Sequence, residues 1–183
     1  MVALTTPVCD FGWIAPDFAL PGVDGRTHTL TSASGPQGVL VMFICNHCPY
    51  VQAILPRLVE DCRSLRAEGI GAIAIMSNDV AAYPDDAFPN MQALAEKLAF
   101  PFPYVLDAAQ TVARAYGAVC TPDFFGFNAR RELQYRGRFD ASGPKADPAA
   151  RRELKAAMRQ IAETGQGPQA QIASIGCSLK WLP

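Results

Sequence analysis

The stretch Val39-Leu40-Val41-Met42-Phe43-Ile44-Cys45-Asn46-His47-Cys48-Pro49-Tyr50-Val51 decides the fold. Six apolar residues without polar alternation predict a strand buried on both faces. The run stops at Cys45, and a helical pattern opens at Pro49, where a missing N–H costs nothing. Strand, Cys-x-x-Cys and helix thus follow one another directly. Unpaired amides and the dipole at a helix start favour an anion, and the thiolate is the reactive form of cysteine in disulfide exchange. Cys45 is therefore expected to be the more exposed, nucleophilic sulfur. Cys48, one turn on, is the expected resolving partner.

Downstream, Pro49–Glu68 predicts a helix with Val51, Ile54, Leu55, Leu58, Cys62 and Leu65 on one face. Pro56 should bend it and Gly69 should end it. Ile70–Met76 is a second buried strand, closed by Ser77-Asn78-Asp79, which reads first as a capping turn. A helix over 85–99 follows, with Met91, Leu94, Ala95 and Leu98 as its core stripe. After it come a short strand over 101–106 and a helix over 108–116 ended by Gly117. Phe124–Asn128 and Glu132–Phe139 form a hairpin. A polar loop over 140–147 leads to an amphipathic helix over 148–164, with Leu154, Ala157, Met158 and Ile161 inward. The tail Ile172–Pro183 is apolar and should pack back on the body. Upstream, 16–20 and 26–30 read as strands around a turn at Gly22, Asp24 and Gly25. Residues 31–38 read as a loop and 1–12 as a mobile arm, leaving 13–183 as one domain.

Three pieces carry a resemblance: Cys45-Asn46-His47-Cys48-Pro49-Tyr50, Thr121-Pro122-Asp123-Phe124-Phe125 and Gly176-Cys177-Ser178-Leu179-Lys180-Trp181. Together they resemble the thioredoxin superfamily, in its peroxiredoxin-like branch (AhpC/TSA, redoxin, TlpA/ResA-like). The resemblance implies an α/β thioredoxin-like fold: a central mixed β-sheet flanked by helices, with an N-terminal β-hairpin extension and a C-terminal tail. It implies a thiol–disulfide oxidoreductase whose partners are protein or small-molecule thiols and disulfides. Thr121-Pro122 resembles the cis-proline turn that lies beside the Cys-x-x-Cys and pairs with extended substrate. Cys120 then falls near the site, and Cys177 can reach Cys120 or the Cys-x-x-Cys if the tail packs back, which would make a redox relay. A homodimer is compatible with the family.

His47 stands between the cysteines, where an imidazolium would stabilise the thiolate and favour the reduced form. A potential above the roughly −270 mV of thioredoxin is expected. Two family carboxylates are missing. The buried acid six residues before the first cysteine is Val39 here, and the ResA-like glutamate three residues after the second is Val51. That leaves His47 or water as proton acceptor.

Six cysteines point to redox or metal chemistry. Cys62 reads as a core residue, and Cys9 has no evident role. With only two histidines and no second Cys-x-x-Cys, no zinc site is expected. No cofactor is called for, since electrons move through sulfur alone. The first alternative is a peroxiredoxin-like thiol peroxidase with antioxidant activity, acting through Cys48 or Cys45. In the pattern P-x-x-x-T-x-x-C, Cys48 would be the peroxide-attacking cysteine, but Val41 and Cys45 replace its Pro and Thr. The second alternative is copper binding, since soft thiolates select Cu(I). The copper-binding relatives, however, use a Cys-x-x-x-Cys and a distant histidine. A net charge of −1 points to no nucleic-acid or membrane partner. No run of about 20 apolar residues occurs. Residues 1–13 carry no basic residue, so a cytoplasmic location is expected.

Overall fold

The computed structural model describes residues 2–142, Lys145 and 147–183. Met1 of the expected arm, and Gly143, Pro144 and Ala146 of the expected polar loop, lie outside the described residues.

The chain runs β1 (Ala3–Thr5), β2 (Ala19–Pro21), β3 (Thr27–Thr29), α1 (Leu30–Ala33), β4 (Gly38–Phe43), α2 (Pro49–Ala67), β5 (Ile70–Met76), a 3-10 turn (Pro84–Asp86), α3 (Phe88–Lys97), β6 (Tyr104–Leu106), α4 (Thr111–Tyr116), β7 (Cys120–Thr121), β8 (Asp123–Phe127), β9 (Leu133–Tyr135), α5 (Glu153–Thr164) and β10 (Ile175–Ser178). The main sheet is mixed, in the order β6-β5-β4-β8-β9. β4 lies at its centre, parallel to β5 and antiparallel to β8.

The unbroken apolar run has the predicted cause. Along β4, Leu40 and Met42 enter one buried cluster with α2 and α5. Val39, Val41 and Phe43 enter another with α4 and the N-terminal hairpin. Each large side chain buried this way contributes about 1.5–3 kcal/mol, so a strand covered on both faces has no place for a polar residue. The final helix buries Leu154, Ala157, Met158 and Ile161, as expected. Cys62 is buried in the core. No helix among the described residues is long and apolar enough to cross a membrane.

Several boundaries differ from expectation for local reasons. The helix over 85–99 is split. Proline has no amide to give and sits best in a first turn, so Pro89 starts α3 and the preceding turn ends at Asp86. The helix over 108–116 begins only at Thr111, because Gln110 adopts a left-handed backbone. The last helix begins at Glu153, since residues 148–150 form a turn capped by Asp147. The loop over 31–38 holds a helical turn with Thr29 as its N-cap.

The largest correction concerns the arm. Ala3–Thr5 is a strand, paired antiparallel to β10 of the tail. β10 in turn pairs with β7, giving a second sheet in the order β1-β10-β7. The tail packs back as expected, and it lies between the chain's start and the strand that carries Thr121. Gly176 permits this. A Cβ there would lie 2.1 Å from the Thr121 carbonyl oxygen, closer than any side chain can approach.

Candidate active site

The dithiol lies where β4 ends and α2 begins, opposite the cis peptide Thr121-Pro122. One residue holds both sulfurs. The Thr121 hydroxyl is 3.3 Å from Cys45 Sγ. Its carbonyl accepts from the Cys48 thiol at 3.0 Å. Both cysteines are buried, at 1% and 0% exposure, so Cys45 is not the exposed sulfur expected. Nor is Cys45 at the helix start. Because Pro49 takes the first helical position, the residue before it, Cys48, is the N-cap of α2.

The Cys48 thiol is pushed down to about 5, chiefly by the hydrogen bond that Cys45 gives it. Cys177 and the first-turn amide of Val51 help, against the cost of burial. Cys45 moves up, through the same hydrogen bond, then burial and the neighbouring Asp86. Cys48 is thus the more readily ionised of the two.

On the Cys45 side a polar cluster closes the site. Asp86, fully buried, collects four donors. These are the amides of Asn46 (2.8 Å) and His47 (3.3 Å), the His47 ring at Nδ1 (2.7 Å) and the Asn78 side-chain amide (2.8 Å). Nδ1 is only 3.9 Å from Cys45 Sγ, so His47 lies between sulfur and carboxylate, with the carboxylate nearer. Its Nε2 is buried without a partner. The ring stacks on Tyr83 at 5.3 Å, and the Lys180 ammonium lies 5.5 Å over the same tyrosine. Asn78 Oδ1 accepts from the Lys180 amide, joining Asp86 to the tail. Sequence reasoning missed Asp86 and read Asn78 as a cap. The Asp85-Asp86 pair after Tyr83-Pro84 was the available signal, but nothing local ties it to residues 45–48. Asp86 supplies a buried carboxylate beside Cys45 from a different element.

On the Cys48 side the wall is the tail. Cys177 Sγ lies 3.1 Å from Cys48 Sγ. Burial pushes its thiol up to about 12, and the hydrogen bond to Cys48 adds to this. Cys120 lies on the strand beside Cys177 without a hydrogen bond to it. Its thiol faces the Pro122 carbonyl at 3.6 Å, and burial raises its pKa. Of the four cysteines near the site, three sulfurs therefore form one chain, 45–48–177. The backbone of Thr121, expected to pair with substrate, is paired with Cys177. Cys9 is half-buried at the edge of the second cluster.

The donor atoms of Cys45, His47 and Asp86 lie within 4.8 Å of one another. These residues could hold a soft or borderline metal ion, but at 2.7 Å the His47–Asp86 contact is closed by a proton.

A cysteine pair between a central strand and a helix, facing a cis proline across a mixed sheet, defines a thioredoxin-fold dithiol protein. The chain belongs to the AhpC/TSA family, whose model matches residues 11–139. A curated relative, the thiol-disulfide oxidoreductase ResA of Geobacillus thermodenitrificans (strain NG80-2), is 29% identical over 114 residues. The match takes in 62% of this chain and 61% of that protein, so the chain spans less than two thirds of the relative's length. A conserved uncharacterised protein of Geobacillus kaustophilus is similar along the whole chain. It is 40% identical, with a TM-score of 0.94, over 100% of this chain and 98% of that one. A hypothetical protein of Sinorhizobium meliloti 1021 is 35% identical over 97% of both chains, with a TM-score of 0.91. The thioredoxin domain of a Bacteroides vulgatus thiol-disulfide oxidoreductase shares the fold at 17% identity, with a TM-score of 0.59, over 70% of this chain and 89% of that one.

Proposed function

We propose that this chain is a thiol–disulfide oxidoreductase that exchanges electrons with disulfide substrates through Cys45 and Cys48. The observation that carries the reading is the buried dithiol at the end of β4, with both sulfurs held against Thr121 beside the cis peptide Thr121-Pro122. Cys45 is the sulfur that meets substrate, and Cys48 holds the resting charge. As Cys45 attacks a disulfide, its proton passes to Cys48 and a thiolate leaves the substrate. That thiolate takes the proton back. Cys48, again charged, attacks Cys45 Sγ and expels the second substrate thiolate. One disulfide is reduced, and Cys45–Cys48 is oxidised.

Neither sulfur is exposed, so the reading requires the wall to open. Tyr83, 37% exposed and stacked on His47, is its most exposed part. In the test, the reduced protein is titrated against glutathione redox buffers, thiols are counted by mass, and thiolate absorbance at 240 nm is followed with pH. A reversible Cys45–Cys48 disulfide is expected, with a thiolate step near pH 5 that Cys48→Ala abolishes. No disulfide at any poise, or a first thiolate step near pH 9, would sink the reading.

A peroxidase reading is favoured by one feature: Cys48, aligned with the peroxide-attacking cysteine of the family pattern, is also the sulfur with the lowered pKa. It predicts stoichiometric peroxide consumption faster than that of free thiol. The absent Pro and Thr of that pattern weigh against it.

A further inference from the structure

We propose that Cys177 is a third redox cysteine, and that the disulfide made at Cys45–Cys48 moves on to Cys48–Cys177. The proposal rests on the exchange reading above and extends it to the tail.

The geometry is built, not incidental. Cys177 sits on the middle strand of the β1-β10-β7 sheet, opposite Ala3 on one side and Thr121 on the other. Beyond it, the tail is fastened at successive points. The Leu179 amide donates to the Val119 carbonyl and the Lys180 amide to Asn78 Oδ1. The Lys180 carbonyl accepts from the Asp79 amide and the Gln110 side chain. The Leu182 amide donates to Gln110 Oε1, and the Arg114 guanidinium lies 4.5 Å over Trp181. Before it, the Ser174 hydroxyl donates to the Pro122 carbonyl. Gly176 allows the strand to lie against Thr121. These contacts hold Cys177 Sγ 3.1 Å from Cys48 Sγ, about 1 Å beyond a disulfide bond.

The step balances without an outside oxidant. Cys177 sulfur attacks Cys48 Sγ. The Cys48–Cys177 bond forms as the Cys45–Cys48 bond breaks, and the proton lost by Cys177 ends on Cys45. No electrons enter or leave. The exchange leaves Cys45 as a protonated thiol and keeps Cys48 in the bond. The oxidised form then has a free Cys45, with the tail stapled to the helix start. Cys120, turned to the Pro122 carbonyl, takes no part.

Oxidation with glutathione disulfide, alkylation under denaturing conditions and peptide mapping test this. The full chain is used as wild type, Cys45→Ala, Cys120→Ala and Cys177→Ala. Cys45→Ala should give a stoichiometric Cys48–Cys177 cross-link, since Cys177 displaces glutathione from Cys48. Cys120→Ala should not reduce that cross-link in an otherwise wild-type chain. The wild type, which needs no substitution to fold, should show the same cross-link at oxidising poise. If Cys45→Ala carries glutathione on Cys48 with Cys177 free, or leaves both thiols free after prolonged oxidation, the proposal is overturned. Cys177→Ala separates the two readings. There, a Cys45–Cys48 disulfide supports exchange whether or not Cys177 acts, and its absence removes exchange itself.

Discussion

The two walls of the dithiol are built from opposite materials. Beside Cys45, four donors converge on one carboxylate, and an imidazole joins that carboxylate to the sulfur. Beside Cys48 there is a strand, a second sulfur and a carbonyl. The first wall can hold charge and pass protons. The second can accept a covalent bond and little else. The contrast favours ionisation of Cys48 over Cys45. A buried carboxylate disfavours a second anion beside it, and the helix N-cap on the other side favours one. Strand and helix therefore carry the sulfurs, while the neighbours assign their roles.

Removing the polar wall should have the largest effect. Asp86→Ala leaves two backbone amides, the His47 ring and Asn78 without their acceptor in a buried site. Buried groups stripped of a partner cost about 1–3 kcal/mol each, so a loss of ~3 kcal/mol or more in urea unfolding is expected. Asp86→Asn removes the charge and keeps one acceptor oxygen, enough for two of the four donors. It should bring the Cys45 pKa down and blur the separate thiolate steps in the 240 nm titration. An unchanged titration in Asp86→Asn would mean that the carboxylate does not assign the charge.

Much of this contrast is legible in the sequence, and the illegible part has a physical reason. The two-faced strand, the helix and the cis-proline turn follow from residues within a few positions of one another. Which sulfur opens the helix is legible too. Proline in the first helical position makes Cys48, not Cys45, the N-cap, and that inference was available from Cys48-Pro49 alone. Asp86 is different. It is brought to residue 46 by packing across 40 positions, and no periodicity encodes that. Gln110 is hidden in the same way, because its contacts to Ser77 and Lys180 exist only once the tail returns. The tail's return shows in its apolar composition, but its pairing with residues 3–5 does not. Three residues without alternation are too few to signal a strand.

Loosening the tail wall should matter less, because it leaves all the sulfurs in place. Gly176→Ala puts a methyl group 2.1 Å from the Thr121 carbonyl oxygen, and backbone there cannot give way as a side chain would. Overpacking of this kind costs roughly 1–3 kcal/mol. The variant should alkylate faster at Cys48 and Cys177 in the native state, with Cys62 remaining unreactive as an internal control. Equal alkylation rates in variant and wild type would show that the tail is not what covers the second wall.

The smallest effect on the dithiol should come from Asp123, two residues past Thr121, because this buried carboxylate is paired with Arg136 rather than with a sulfur. Arg136 lies 3.1 Å from its Oδ2, yet its Oδ1 has no partner. Burial outweighs the arginine and raises its pKa from 3.8 to about 6. The sign follows from linkage. The folded protein holds this proton more tightly than the unfolded chain, so the group's contribution is complete below about pH 4 and is lost as pH rises through about 6. Asp123→Asn removes that slope, which is at most about 1.4 kcal/mol per pH unit. Exchanging the protonated carboxyl for an amide adds an offset that does not vary with pH over this range. Urea unfolding at pH 4, 5, 6 and 7 should therefore show the variant gaining on the wild type across the window, while the 240 nm step near pH 5 stays put in both. Parallel stability curves would mean that Arg136 keeps Asp123 charged. The tail wall would then carry a fixed negative charge two residues from Thr121, and the opposition between a charged wall and a covalent one would not hold.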